Sequence, residues 1–198
     1  MARTMQGARR AGTLFGATLG VALAASAAGC APPMRQTFDL SAAAGAPPGA
    51  ERAGPALVVR EPTAAPPTSS PRVVVRGADG GVFILPGSEW SAPLPRLLRE
   101  RMVEALQRAG VGAAAYGLAG VALATDIRRF EIDVARNVAV VELSARLVDA
   151  NTGAARAAQS FVAETPAPEH TGAPAVMALT EAAGEALAHM ARWARGKV

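Results

Sequence analysis

Residues 121–164 read VALATDIRRFEIDVARNVAVVELSARLVDANTGAARAAQSFVAE, and their alternation decides the fold. Val121, Leu123 and Ile127 share one phase of a two-residue period, whereas Phe130 and Ile132 share the other. A side chain in a strand changes face at every step, so a change of phase near Arg128-Arg129 predicts a bulge or sharp bend. Ala135-Arg136-Asn137 predicts a hairpin turn. Val141, Leu143, Ala145 and Leu147 then alternate with Glu142, Ser144 and Arg146, as expected for a strand with one buried face. Asp149-Ala150-Asn151-Thr152-Gly153 is a second turn, and 154–164 returns through Phe161. The stretch is a three-stranded antiparallel meander.

Upstream, Val73-Val74-Val75 and Val82-Phe83-Ile84-Leu85 flank Asp79-Gly80-Gly81, which predicts a hairpin. Glu89-Trp90-Ser91 opens a helix, with Ser91 as N-cap and Pro93 and Pro95 near the first turn. Leu94, Leu97, Leu98, Met102, Ala105, Leu106 and Ala109 recur at spacings of three and four up to Gly110, which stops the helix. A short strand is expected near 113–116. Downstream of Pro166 and Pro168, Val176, Leu179, Ala183, Leu187, Met190 and Trp193 mark a last amphipathic helix over 174–195. Near the N-terminus, 36–40 reads as a short strand with Phe38 and Leu40 on one face, and Leu57-Val58-Val59 as another. Ser41 to Pro55 is a flexible insertion by composition, and Pro62 to Pro71 an extended, proline-fixed connection. The expected class is α+β: a mostly antiparallel (mixed) sheet with two amphipathic helices packed on one face.

The first thirty residues carry a different message. Arg3, Arg9 and Arg10 precede the uncharged run 11–25, and Ser26-Ala27-Ala28-Gly29 leads to Cys30, the only cysteine. A positive start, a short apolar run and a small-residue zone make an export signal. The run is too short for a bilayer-spanning helix, which needs about 20 residues. Small residues before a cysteine are similar to a lipobox, which implies diacylglycerol on the Cys30 thiol and an acyl chain such as palmitate on its amine. Ordinary signal-peptide cleavage at Ser26-Ala27-Ala28 is the alternative, and lipidation at Cys30 is the favoured reading. Ala31 after the cysteine, by similarity to enterobacterial sorting, implies the outer membrane. The expected division is a lipoprotein signal peptide at 1–29, a lipid-anchored tether with short strands and a Pro/Gly-rich linker at 30–70, and an α+β domain at 71–198.

Removing 1–29 takes away three arginines and no acid, so the formal charge falls from +4 to +1. The basic balance belongs to the signal and argues against nucleic acid as a partner. With one cysteine there is no disulfide framework and no thiolate metal site.

No catalytic set stands out. His170 and His189 lie nineteen residues apart without ligand spacing, so no metal is expected. Glu131 and Asp133 share a strand face and suit paired acid/base work, but a solvated face opposite Phe130 and Ile132 is the favoured reading. Ser144, Ser160 and Thr125 lack a Gly-x-Ser-x-Gly elbow, and no glycine pair sits at a phosphate-binding strand-to-helix junction. Arg128-Arg129 read as exposed, and Trp90 and Trp193 as core anchors.

Taken in order, these motifs carry a resemblance. The lipobox at Cys30, Phe38-Asp39-Leu40, Pro71-Arg72-Val73-Val74-Val75-Arg76, Glu89-Trp90-Ser91-Ala92-Pro93-Leu94, Ile127…Phe130-Glu131, Leu147…Thr152-Gly153 and Trp193 together resemble the ABC-type transport auxiliary lipoproteins, which include the paraquat-inducible protein C group. The resemblance implies a non-enzymatic component without cofactor, anchored at Cys30 to the outer membrane and facing the periplasm. It implies partnership with a periplasmic mammalian-cell-entry (MCE) domain protein and an inner-membrane ABC transporter or permease that move phospholipid. Self-association stays open. The alternative is a structural or assembly lipoprotein of another envelope complex, such as lipopolysaccharide or secretion machinery, and a hydrolase using Glu131 or His189 is a weaker one.

Overall fold

The computed structural model describes residues 35–43 and 57–198. Cys30, the signal and the greater part of the Ser41–Pro55 insertion lie outside these residues.

The meander is the spine of the sheet. Strands β7 (Val121–Asp133), β8 (Val138–Asp149) and β9 (Ala155–Pro166) pair antiparallel. The phase change in β7 is a bulge: Ile127 pairs with Leu143 and Arg129 with Glu142, leaving Arg128 as the extra residue. One added residue keeps Leu123 and Ile127 on the same face as Phe130 and Ile132, and all four enter the core. Asn137 closes the β7–β8 turn at φ 54, a left-handed conformation that asparagine tolerates.

The other edge of β7 is filled piecemeal. Strands β2 (Leu57–Val59), β3 (Thr63–Ala64) and β4 (Arg72–Arg76) lie along it in succession, each parallel to β7. The Pro62–Pro71 connection is thus stitched into the sheet through β3. Beyond them, β5 (Val82–Trp90) pairs antiparallel with β4, β1 (Gln36–Phe38) parallel with β5, and β6 (Ala113–Ala114) parallel with β2. Most paired residues are antiparallel, and the sheet as a whole is mixed.

Helices α1 (Leu94–Arg108) and α2 (Gly172–Arg195) pack against each other and on one face of this sheet. Leu97, Leu98, Met102 and Leu106 of α1 meet Val176, Leu179, Leu187 and Met190 of α2 in a single apolar cluster. The 3-10 turn at Ser41–Ala43 presses onto α2 so closely that a Cβ at Gly184 would sit 3.3 Å from the Ala43 carbonyl oxygen.

One helix boundary differs from the sequence expectation. Glu89 and Trp90 do not open α1; they end β5, and the helix begins at Leu94 with Pro93, not Ser91, at the N-cap position. Pro86-Gly87 resembles a turn, but here it re-registers β5 against β4, with Gly87 at φ 69. A proline has no N–H to give the ladder, and a glycine accepts positive φ, so the strand resumes after the irregularity. This delivers Trp90 to the core at 2% exposure.

Candidate functional site

Strand β7 places Glu131 and Asp133 on the face opposite the helices. The expectation of a solvated face is overturned: Glu131 is 4% and Asp133 7% exposed. The long side chains beside them exclude water. Arg76 of β4 donates to both carboxylate oxygens of Glu131, Nε to Oε1 at 2.8 Å and Nη2 to Oε2 at 2.9 Å. Arg129 donates from Nε to Glu131 Oε1 at 2.8 Å and from Nη2 to Asp133 Oδ2 at 3.0 Å. The Arg136 backbone N–H donates to Asp133 Oδ1, and its side chain pairs with Glu164 on β9. The network therefore ties β4, β7 and β9 together across the polar face.

Burial alone raises the Glu131 carboxyl, but hydrogen bonds from Arg76 and then Arg129 outweigh it and hold the group below the usual carboxylate range. A carboxylate held this firmly in its charged form is a poor general base. Both of its oxygens are already occupied, so the arrangement performs ion pairing and not proton transfer. Arg128 projects to solvent at the bulge, as expected, whereas its neighbour Arg129 is the centre of the network.

The remaining candidates are dispersed. His170 Nε2 lies 2.9 Å from Asn137 Oδ1, and His189 lies 3.9 Å from Glu185 on α2. Ser144 and Ser160 face each other across β8 and β9 with no histidine partner, and Thr125 is buried. Among the described residues, no group of three or more His, Cys, Asp or Glu is placed to hold a metal ion. Trp90 meets Phe130 edge-on at 5.7 Å, and Trp193 meets Phe161 at 5.6 Å. The tryptophans are anchors.

Two surface features had no signal in the sequence. A groove of about 620 Å³ runs between β1, the 166–169 segment and the first turns of α2. Phe38, Pro168 and Met177 give it apolar walls, while Asp39, Glu169 and Glu181 are its charged groups. On the β6 side, the segment after β6 exposes Tyr116 and, at 97%, Leu118. Arg99 of α1 holds this segment, stacking 4.7 Å from the Tyr116 ring centroid and donating to its hydroxyl. Among the described residues, no helix is long and apolar enough to cross a membrane.

Residues 37–191 match the family model described as the ABC-type transport auxiliary lipoprotein component. The crystal structure of protein XCC0632 from Xanthomonas campestris superposes with a TM-score of 0.65 at 26% identity, covering 82% of this chain and 91% of that one. A second crystal structure, of an uncharacterized protein, gives a TM-score of 0.64 at 18% identity over 81% and 99% of the two chains, which is a likeness of fold. No curated protein matches the chain. The family match spans the first strand to the last helix, and the chain belongs to the ABC-type transport auxiliary lipoprotein family.

Proposed function

We propose that this chain is a lipid-anchored, non-enzymatic component of an intermembrane phospholipid transport system, docking an MCE-domain protein at the outer membrane on behalf of an inner-membrane ABC transporter. The observation that carries the reading is the family match over 37–191. The consumption of Glu131 and Asp133 by arginines, and the exposed Tyr116 and Leu118, support docking over chemistry. Cys30 is the lipid attachment point in this reading, and residues 1–29 are removed. Two or more acyl chains suffice for stable anchoring where one does not.

Two experiments test the proposal. Cys30→Ser is expected to move the protein from the membrane fraction to the soluble periplasm; unchanged fractionation removes the anchor. Gentle detergent extraction of the tagged full-length chain is expected to recover an MCE-domain protein with its ATPase or permease. Recovery of lipopolysaccharide or secretion machinery instead assigns the chain to a structural role in that assembly.

A further inference from the structure

The side chains around the groove between β1, the 166–169 segment and α2 offer acceptors and no donors. Among them only Ser41 and Thr180 carry a polar hydrogen, and both are spent inside the protein. Ser41 Oγ donates to Asp39 Oδ1, and Thr180 Oγ1 donates to the Val176 carbonyl at 2.9 Å. Pro166, Pro168 and Pro174 line the same groove and have no N–H to give. What remains is the exposed carboxylates of Asp39, Glu169 and Glu181.

These acids differ from most others in the molecule. Glu131, Glu164, Asp149 and Glu89 are each paired with arginine. Glu169 and Glu181 have no hydrogen-bond or ion-pair partner among the described residues, and Glu142 on β8 is the one other acid so placed. Ser41 occupies Oδ1 of Asp39 through its hydroxyl and its N–H, which leaves Oδ2 open. The cation that acts on Asp39 through space, Arg101, is already paired with Glu104 at 2.9 Å. The groove therefore holds negative charge that the fold does not neutralise.

Its walls are apolar and built in advance. Pro174, Met177, Ala178 and Glu181 fall at i, i+3, i+4 and i+7, so one face of α2 turns to the groove. Leu179, Ala183 and Leu187 face the core instead. Met177 is 68% exposed, an adaptable apolar side chain left without cover. The prolines fix the backbone around it, so little order has to be created when a ligand arrives. A volume of about 620 Å³ lies within the range of ligand-binding clefts.

We infer that this groove takes a basic, amphipathic segment of a partner protein. Its apolar side chains lie against Phe38 and Met177, and its lysine or arginine donors reach Asp39, Glu169 and Glu181. Complementary charge fixes such a segment in register, whereas a phosphate headgroup is repelled by the same rim. The positive end of α2 opposes a cation only within its first turn, and Glu181 lies beyond that turn. The inference rests on the docking reading for the ligand being a protein, and on the groove for the ligand's chemistry.

A peptide titration tests it. The probe is a short capped peptide alternating leucine and lysine, added to the full-length chain carrying Cys30→Ser and isotope-labelled methionine methyl groups. The Met177 methyl signal is expected to shift, while those of the buried Met102 and Met190 stay in place. Peptides alternating leucine with glutamate, or serine with lysine, are expected to bind more weakly. Glu169→Gln combined with Glu181→Gln is expected to weaken the probe about five- to tenfold, as two exposed ion pairs would. Added salt should reproduce part of that loss. Glu142→Gln, on the face of β8 opposite the core, should leave the affinity unchanged. All three positions lie outside the core, so these variants are expected to fold. An unshifted Met177, a control peptide that binds as tightly as the probe, or unchanged binding in the double variant overturns the inference. So does an equal loss in Glu142→Gln, or a Met177 shift as large with phosphatidylglycerol vesicles as with the peptide. The titration contains no transport partner: recovery of an MCE-domain protein by extraction beside an unshifted Met177 removes this groove and keeps the docking role.

Discussion

At residues 130–133 strand β7 is buried on both faces of the sheet, and the two are buried by different physics. On the helix side, β7 contributes Leu123, Ile127, Phe130 and Ile132 to an apolar core that includes Trp90. On the far side the same strand contributes Glu131 and Asp133, shielded by Arg76 and Arg129. The apolar face gains from removing hydrocarbon from water, an effect that involves no titrating group. The ionic face has to overcome the cost of desolvating charge, and does so only while every partner is present and ionised. Adjacent residues in one strand therefore report on separate forces. Exposure alone would have classed Phe130 and Glu131 together.

The largest effect should come from the apolar side. Trp90→Ala removes the ring that meets Phe130 edge-on and is expected to cost about 3–5 kcal/mol, read by denaturant unfolding. The loss should be nearly the same at pH 7 and pH 4. An unchanged transition would place Trp90 outside the core.

Glu131→Gln probes the ionic side. Removing one member of a buried ion pair costs about 3–5 kcal/mol. Arg76 and Arg129 keep about a third of their side-chain surface in water, so about 2 kcal/mol is expected here. The pH signature separates it from a packing defect. The folded carboxyl lies below its unfolded value, so its contribution is complete above the unfolded value, near the ordinary 4.5, and is lost as pH falls through the folded one. Wild-type stability should decline across that acidic window, and the Glu131→Gln curve should be flatter there. Asp149 is lowered to about 2 by Arg156 and by the backbone N–H groups of Thr152 and Asn151; Asp149→Asn identifies its part of the slope. Parallel curves for wild type and Glu131→Gln would mean that the network does not carry the pH dependence.

The smallest contrast is the most diagnostic. Arg129→Ala is expected to destabilise by about 1–2 kcal/mol, since it leaves Glu131 and Asp133 with fewer donors. Arg128→Ala, one residue away, should stay within about 0.5 kcal/mol. Equal effects on thermal unfolding would erase the distinction between the bulge residue and the clamp.

The bulge itself was legible from the amino acids, because Leu123, Ile127, Phe130 and Ile132 can share a core only if one residue between them is skipped. The two amphipathic helices were legible for the same reason of period, and Gly110 marked the end of α1 through its φ of 82. The end of β5 was not. Pro86-Gly87 and Ser91-x-Pro93 carry the local chemistry of a turn and a helix start, and pairing with β4 overrides it. The burial of Glu131 was also hidden, since Arg76 lies 55 residues away in sequence. No local pattern announces a partner at that separation. The groove and the Tyr116 segment were hidden likewise, being assembled from segments that meet only in three dimensions.

What the sequence determined by itself is what depends on period and composition: the α+β class, the meander with its shifted phase, the faces of both helices, and the lack of a catalytic motif. What the tertiary structure decided is what depends on partners distant along the chain. It set three short strands in parallel along one edge of β7, turned an apparently solvated acidic face into a buried ion network, and brought Glu169 and Glu181 to one groove. Local periodicity is fixed by backbone geometry that every residue carries with it. Desolvation of a charge, or the satisfaction of a backbone N–H, depends on which atoms arrive from elsewhere, and folding alone brings them.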